Sequence, residues 1–324
     1  MTAFRLQFIK IGGILLLLST LIAGCTDEPP DTSAPERIEI IRGDGWQDAL
    51  LYIADENGPE EGWGSIRIYD NVSGFVEASV EQTGAAAPSD MFVTPDGSSM
   101  YVASGANGAI EKWRWTGNSW IDGNVTIETP AASLSALVPG PDGRLYATQA
   151  QPALAEGAIH VIDYNADRLA NATVTIPGLS SVDGIAWSQD GSTAFITGTG
   201  PGGPSLFQLA WPAKTLIATS PLPIKRAHEL VLSPNGRYLY VCASGDIIML
   251  DSATGAIVKT LNPGPEADED YFDAAFSGDG GFMFVTGSTP ANGGNLYVID
   301  LATNSVVKTV KHVGAKANGI QRVE

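Results

Sequence analysis

The chain has only two cysteines in 324 residues, too few for a disulfide framework. Cys25 lies close to the N-terminus, and Cys242 ends an apolar strand pattern, Tyr238-Leu239-Tyr240-Val241-Cys242. A buried, inert thiol is therefore expected at Cys242, because reactive thiols need an exposed, electropositive setting. Histidine is equally scarce: His160, His228 and His312 are all there are. Basic residues are few, with 18 Lys plus Arg against 36 Asp plus Glu and a formal net charge of −18, which argues against nucleic acid as a partner. The Cys-x-x-Cys-His, His-Glu-x-x-His, Gly-x-Ser-x-Gly and Gly-x-x-x-x-Gly-Lys patterns are missing, so covalent haem, zinc-protease, serine-elbow and phosphate-loop chemistries lack their residues. No apolar run is long enough for a stable membrane span, since the one from Ile11 through Ile22 gives way quickly to polar residues.

That short run, preceded by Arg5 and Lys10, reads as a signal peptide over residues 1–24. It ends in Leu21-Ile22-Ala23-Gly24-Cys25, which resembles the lipobox of bacterial lipoproteins. The resemblance implies cleavage before Cys25, a lipid on its thiol and a membrane as partner. Thr26 rather than Asp follows the cysteine, which by the same resemblance favours the outer membrane over the inner. Residues 25–36, rich in Pro, Ser and acid, read as a flexible tether, and the folded domain as 37–324.

Within that domain a turn of Asp or Asn followed by Gly recurs at Asp96-Gly97, Asp142-Gly143, Asp190-Gly191, Asn235-Gly236 and Asp279-Gly280, at spacings of 46, 48, 45 and 44. Each is a hairpin signal, because these residues tolerate positive φ. Aromatic-led apolar stretches follow at Tyr101, Tyr146, Phe195, Tyr240 and Phe284, and Tyr52 fits the same slot earlier. Further strands end in Asp at Asp70, Asp163, Asp251 and Asp300, where the carboxylate opens the next turn. A unit of about 45 residues with four short strands and no helical periodicity is a propeller blade, which buries its faces only against neighbours. The expected fold is all-β, a single β-propeller of four-stranded blades. Six blades fit the aromatic-led strands, with seven as the alternative. Ala317-Asn318-Gly319-Ile320 is expected to supply the inner strand of the blade containing Tyr52 and so close the ring.

These units resemble the YVTN-type β-propeller repeat family, which includes lactonase-like and surface-protein propellers. The best matches are Ser233-Pro234-Asn235-Gly236 with Tyr240-Val241, and Phe284-Val285-Thr286-Gly287 with Val298-Ile299-Asp300. Departures are the blade of Tyr146, a residue short before its aromatic, the blade of Trp113, without a terminal Asp, and Phe in place of Tyr in two blades.

In such a fold the loops entering the inner strands share one face. Asp90, Asp183, Glu229 and Asp273 lie there, with an alignment that slips by one residue at Asp183, and would repel unless a cation, arginine or water intervened. Oxygen ligands of this kind suit calcium, although no loop has EF-hand spacing and no cofactor is required; a hydrated acidic funnel is the other outcome. On the same face, acidic loops carrying Glu269 and Asp270, together with Trp63, offer a docking surface for a protein, peptide or glycan of the cell envelope. Arg226, His228 and Glu229 could form an anion clamp, a general base and a carboxylate orienter, similar in kind to the residues of propeller lactonases. The first expectation is a non-catalytic binding or scaffold lipoprotein. A lactonase-like hydrolase is the second, and a calcium or small-ligand sensor the third.

Overall fold

The structure, a computed structural model, describes residues 8–11, 14–17, 49–56, 64–72, 74–83, 87–149, 156–264, 269–290 and 293–323. Two compact units are present, Met1–Ile40 and Ile41–Glu324. In the first, β1 (Phe8–Ile11) and β2 (Ile14–Leu17) pair antiparallel, with Phe8 opposite Leu17. Cys25, the tether residues 25–36 and the stretch Ile38 to Ile41 lie outside the described residues.

The second unit is a propeller of six four-stranded antiparallel sheets. Blade 1 contains β3 (Leu50–Asp55), β4 (Ser65–Asp70) and β5 (Val76–Gln82). Blade 2 is β6 (Pro88–Val93), β7 (Ser99–Ser104), β8 (Ala109–Trp115) and β9 (Trp120–Glu128). Blade 3 is β10 (Leu134–Pro139), β11 (Leu145–Gln149), β12 (Gly157–Asp163) and β13 (Arg168–Ile176). Blade 4 is β14 (Ser181–Trp187), β15 (Thr193–Gly200), β16 (Gly203–Ala210) and β17 (Thr215–Pro221). Blade 5 is β18 (Ala227–Leu232), β19 (Tyr238–Ala243), β20 (Ile247–Asp251) and β21 (Ile257–Leu261). Blade 6 is β22 (Asp270–Phe276), β23 (Phe282–Thr289), β24 (Gly293–Asp300) and β25 (Ser305–Lys311). The last strand, β26 (Ala317–Val323), pairs with β3 as the inner strand of blade 1 and closes the ring.

The five expected Asp-Gly and Asn-Gly hairpins all form, and Gly97, Gly143, Gly191, Gly236 and Gly280 take φ between 67° and 73°, where a Cβ is strained. A recurrent hydroxyl locks four of them, Thr94, Ser188, Ser233 and Ser277 each donating to the Asp or Asn two residues on.

Burial explains why the inner strands read as continuous apolar runs. The second strands β11 and β19 are buried at nearly every position, because a blade is covered on both faces by its neighbours, whereas the outer strands β21 and β25 are exposed along most of their length. The core is six clusters, each shared by two adjacent blades. Tyr52, Ile66, Met91 and Met100 join blades 1 and 2, for example, while Leu51, Ile53, Phe284 and Val298 join blades 6 and 1. Trp113 and Trp120 belong to the first cluster, and Trp187 and Trp211 stack edge-on around Tyr146. All six interfaces, including the closing one, are made by residues 49–323.

Candidate active site

Every inner strand carries a β-bulge at the same height. Pairing with the second strand slips between Pro88 and Asp90, Leu134 and Leu137, Val182 and Gly184, Ala227 and Leu230, Tyr271 and Asp273, and Ala317 and Ile320. A bulge inserts one residue and re-aims the side chains around it. Aligned on the bulge, the blades present two tiers around the channel. One holds Ser89, Ser135, Asp183, His228, Phe272 and Asn318; the other holds Asp90, Ala136, Gly184, Glu229, Asp273 and Gly319.

This alignment corrects one expectation. Asp183 belongs to the tier of His228 and not to the tier of the other three acids. It is buried with Ser181 Oγ at 3.4 Å as its donor. Burial pushes its carboxyl up to about 7, with the Arg226 charge pulling the other way. The remaining three, Asp90, Glu229 and Asp273, line a mouth cavity of about 280 Å³ together with Arg226, His228 and Asp270. Further along the inner strands lies a second cavity of about 340 Å³, lined largely by apolar side chains such as Leu137, Ile185, Leu230 and Phe276. Asp90, Glu229 and Asp273 border both, so they separate a polar mouth from an apolar lower channel.

The three carboxylates are held by backbone. Met91 N and Leu137 N donate to Asp90 at 2.7 and 2.6 Å, Ala274 N and Ile320 N to Asp273 at 2.6 and 2.8 Å, and Leu230 N to Glu229 at 3.1 Å. Asp90 thereby ties blade 2 to blade 3, and Asp273 ties blade 6 to blade 1. The glycines of this tier are required by the acids next door: a Cβ on Gly319 would meet Asp90 Oδ1 at 2.5 Å, and one on Gly184 would meet Leu230 N at 2.7 Å and Glu229 Oε1 at 3.0 Å. Burial raises all three carboxyls; mutual repulsion adds to the rise at Asp90 and Glu229, and Asp273 is pushed up to about 7. These residues do not fit the expected calcium ring. Calcium takes six to eight oxygens, whereas these oxygens are turned onto backbone donors. Among the described residues no group of three or more His, Cys, Asp and Glu is placed to hold a metal ion.

His228 is 8% exposed, its ring packs on Phe272 at 4.7 Å between centroids, and its Nε2 has no hydrogen-bond partner among the described residues. Burial, followed by the Arg226 charge, pulls its pKa down to about 4, with Asp270 opposing. The imidazole is therefore neutral at ordinary pH. Arg226, exposed at the rim, makes no ion pair among the described residues. Lys316 pairs with Glu56 and lies over the Phe272 ring at 5.6 Å, and Asn318 Nδ2 donates to Glu56 at 3.2 Å. Lys316 was not foreseen as a site residue, yet Lys316-Ala317-Asn318-Gly319 aligns on the bulge with Arg226-Ala227-His228-Glu229, and that register was the available signal.

Of the expected docking residues, Asp270 lines the mouth, while Trp63 lies outside the described residues. Glu269 is a second correction: it is fully buried, accepting hydrogen bonds from Tyr297 Oη at 2.7 Å and Asn295 Nδ2 at 3.0 Å, and so is closed to a partner. Its donors come from β24 of the same blade. Cys242 is buried opposite the His228–Glu229 bulge, and burial pushes its thiol well up, as do the charges of Asp273 and Glu229.

No protein-family profile matches the chain, and no curated protein matches it. Solved structures do match in fold. The periplasmic gluconolactonase of Pseudomonas aeruginosa is 18% identical, with a TM-score of 0.60 over 81% of this chain and 83% of that one. A protein of unknown function from Desulfotomaculum acetoxidans is 14% identical, with a TM-score of 0.61 over 86% and 99% of the two chains. A candidate 6-phosphogluconolactonase of Bacteroides uniformis is 14% identical, with a TM-score of 0.56 over 81% and 82%. At these identities the likeness is one of fold.

Proposed function

We propose that this protein hydrolyses a small hydroxylated lactone at the channel mouth. The observation that carries the proposal is His228, buried and neutral, lining a polar cavity beside Arg226, with its Nε2 unpartnered and the guanidinium without an ion pair among the described residues. In the reaction a water attacks the lactone carbonyl and gives its proton to His228 Nε2. The ring C–O bond then breaks, and the leaving oxygen takes that proton to yield the hydroxy acid. Arg226 and Lys316 stand where cationic donors would stabilise the oxyanion, and Asp270 supports the imidazolium that forms. Glu229, held by Leu230 N, is a positioning residue. Two of the fold neighbours carry lactonase names, which supports this reading over a scaffold whose docking face has lost Glu269.

The finer address belongs to the same proposal: an exported member of the YVTN-type propellers, lipidated at Cys25 and held at the outer membrane. Incorporation of labelled palmitate that disappears in Cys25→Ala tests the anchor. For the chemistry, the test is a screen of sugar lactones followed by His228→Ala. Turnover lost in a variant that keeps its melting temperature supports hydrolysis; ligand binding without turnover returns the site to a binding protein.

A further inference from the structure

The outer edge of the ring is not uniform. On β21 and β25 the same pattern recurs in the same place, Ile257-Val258-Lys259-Thr260 and Val306-Val307-Lys308-Thr309. The register confirms the equivalence: Lys259 pairs with Met249 and Lys308 with Val298, each just before a bulge. Val258 and Val307 are the extra residues of these bulges, which re-aim the side chains around them. Ile257, Val258, Val306 and Val307 are 46%, 51%, 37% and 50% exposed. Neither strand contains an acid, and Lys259, Lys308 and Lys311 give the two a charge of +3 in a chain of −18. On one side the sector ends at β5, which carries Glu77 and Glu81; on the other, β17 repeats the aliphatic pair at the same register as Leu216-Ile217, 56% and 57% exposed, without the lysine.

Lysine on an edge strand also blocks unwanted strand pairing. That accounts for the lysines but not for four aliphatic side chains left in water beside them. Two neighbouring edges of a six-bladed ring define a flat side, as two corners of a hexagon rest on a table. A planar surface can therefore touch β21 and β25 together. The geometry points to an anionic lipid bilayer as the occupant: the aliphatic pairs enter the headgroup region, and the lysines meet the phosphates. This surface is independent of the channel mouth and of any lipid on Cys25.

The test uses the propeller unit, residues 41–324, whose six interfaces and closing strand are all its own, in flotation with phosphatidylcholine vesicles with and without a third of phosphatidylglycerol. Binding to the anionic vesicles is expected and binding to the neutral ones is not. Each lysine at an anionic surface is worth about fivefold, so Lys259→Glu with Lys308→Glu should weaken binding by at least about 25-fold. Val258→Asp with Val307→Asp should also abolish it; both pairs lie on exposed edges, and unchanged melting temperatures will show that they fold. Absence of binding by the native sequence, or binding that both double variants retain, overturns the proposal. Self-association that Val258→Asp removes, seen by sedimentation, would reassign the face to a second copy of the chain and equally overturn it.

Discussion

Replacing Asp273 by Asn should stabilise the propeller, and should do so only above mildly acidic pH. Asp273 is 7% exposed, and burial pushes its carboxyl up to about 7 from an unfolded value near 3.9. The folded protein thus binds a proton that the unfolded chain has released between those two pH values. Stability linked to this group is fully present below about pH 4 and is lost as pH rises through 7. Three units correspond to about 4 kcal/mol. Asparagine cannot ionise, and its carbonyl keeps one of the two backbone donors, as a protonated aspartic acid does. The variant should therefore match the native protein within about 1 kcal/mol at pH 4.5 and exceed it by about 4 kcal/mol at pH 8. For roughly 280 folding residues the unfolding entropy is about 0.6 kcal/mol per kelvin, so the melting temperature should rise by about 7 °C at pH 8. The native curve alone cannot reveal this, because His228, depressed to about 4, contributes with the opposite sign, losing stability as pH falls from 6.5 towards 4. The difference between the two proteins, melted at pH 4.5, 6 and 8 by calorimetry, cancels the His228 contribution and reports Asp273 together with the repulsion it exerts on Asp90 and Glu229. A difference that is zero or negative at pH 8 would refute the reasoning, since the bonds from Ala274 N and Ile320 N would then outweigh burial.

Three further outcomes are expected. Gly319→Ala, whose Cβ would meet Asp90 Oδ1 at 2.5 Å and the Asp90 backbone at 2.7 Å, should cost about 1–3 kcal/mol; urea unfolding checks it, and Asp90→Ala in the same chain should recover part of the loss. Glu269→Gln should destabilise by about 1.5–3 kcal/mol through its weakened bonds to Tyr297 and Asn295 while leaving lactone turnover unchanged. In the pH dependence of kcat/KM on an active lactone, the rising limb should fall near pH 4, where His228 loses its proton, and not near 6.5; a limb at 6.5 would remove His228 as the base.

The architecture was legible because a blade is a local object. Asp96-Gly97 and its four counterparts, the aromatic-led strands and the terminal Asp turns all act over a few residues, and even ring closure could be read from Ala317-Asn318-Gly319-Ile320 resembling an inner strand. The site was only partly legible. Asp183 stands seven residues before Asp190, whereas Asp90, Glu229 and Asp273 stand six before Asp96, Asn235 and Asp279, so its slip by one residue is visible in the sequence, and the strand pairing shows that the slip moves it one tier away. Glu269 was misread for a different cause: an acid in an acidic loop looks wet, and only the arrival of Tyr297 and Asn295 from β24 makes it a buried acceptor.

The bulge also explains why acid and chemistry share this end of the channel. A regular inner strand would bury alternate side chains between blades and leave its N–H groups in the ladder. Inserting one residue at the same height in six strands frees backbone donors such as Leu137 N and Ile320 N at the blade interfaces. Buried donors need acceptors. Asp90 and Asp273 supply them, but three carboxyls then meet around one axis, and their repulsion is tolerated only because Gly184 and Gly319 make room and a proton can be held near neutral pH. The upper tier inherits the consequence. Beside an acidic floor, with Arg226 and Lys316 near it, the buried His228 stays neutral with a nitrogen that has no partner among the described residues. Loss of that floor by Asp90→Ala or Asp273→Ala should therefore loosen blade contacts before it alters His228. Ring chemical shifts of His228, followed against pH in both variants, separate a structural floor from an electrostatic one: an unchanged midpoint near 4 leaves burial as the cause, and a shifted midpoint makes the carboxyls part of the site.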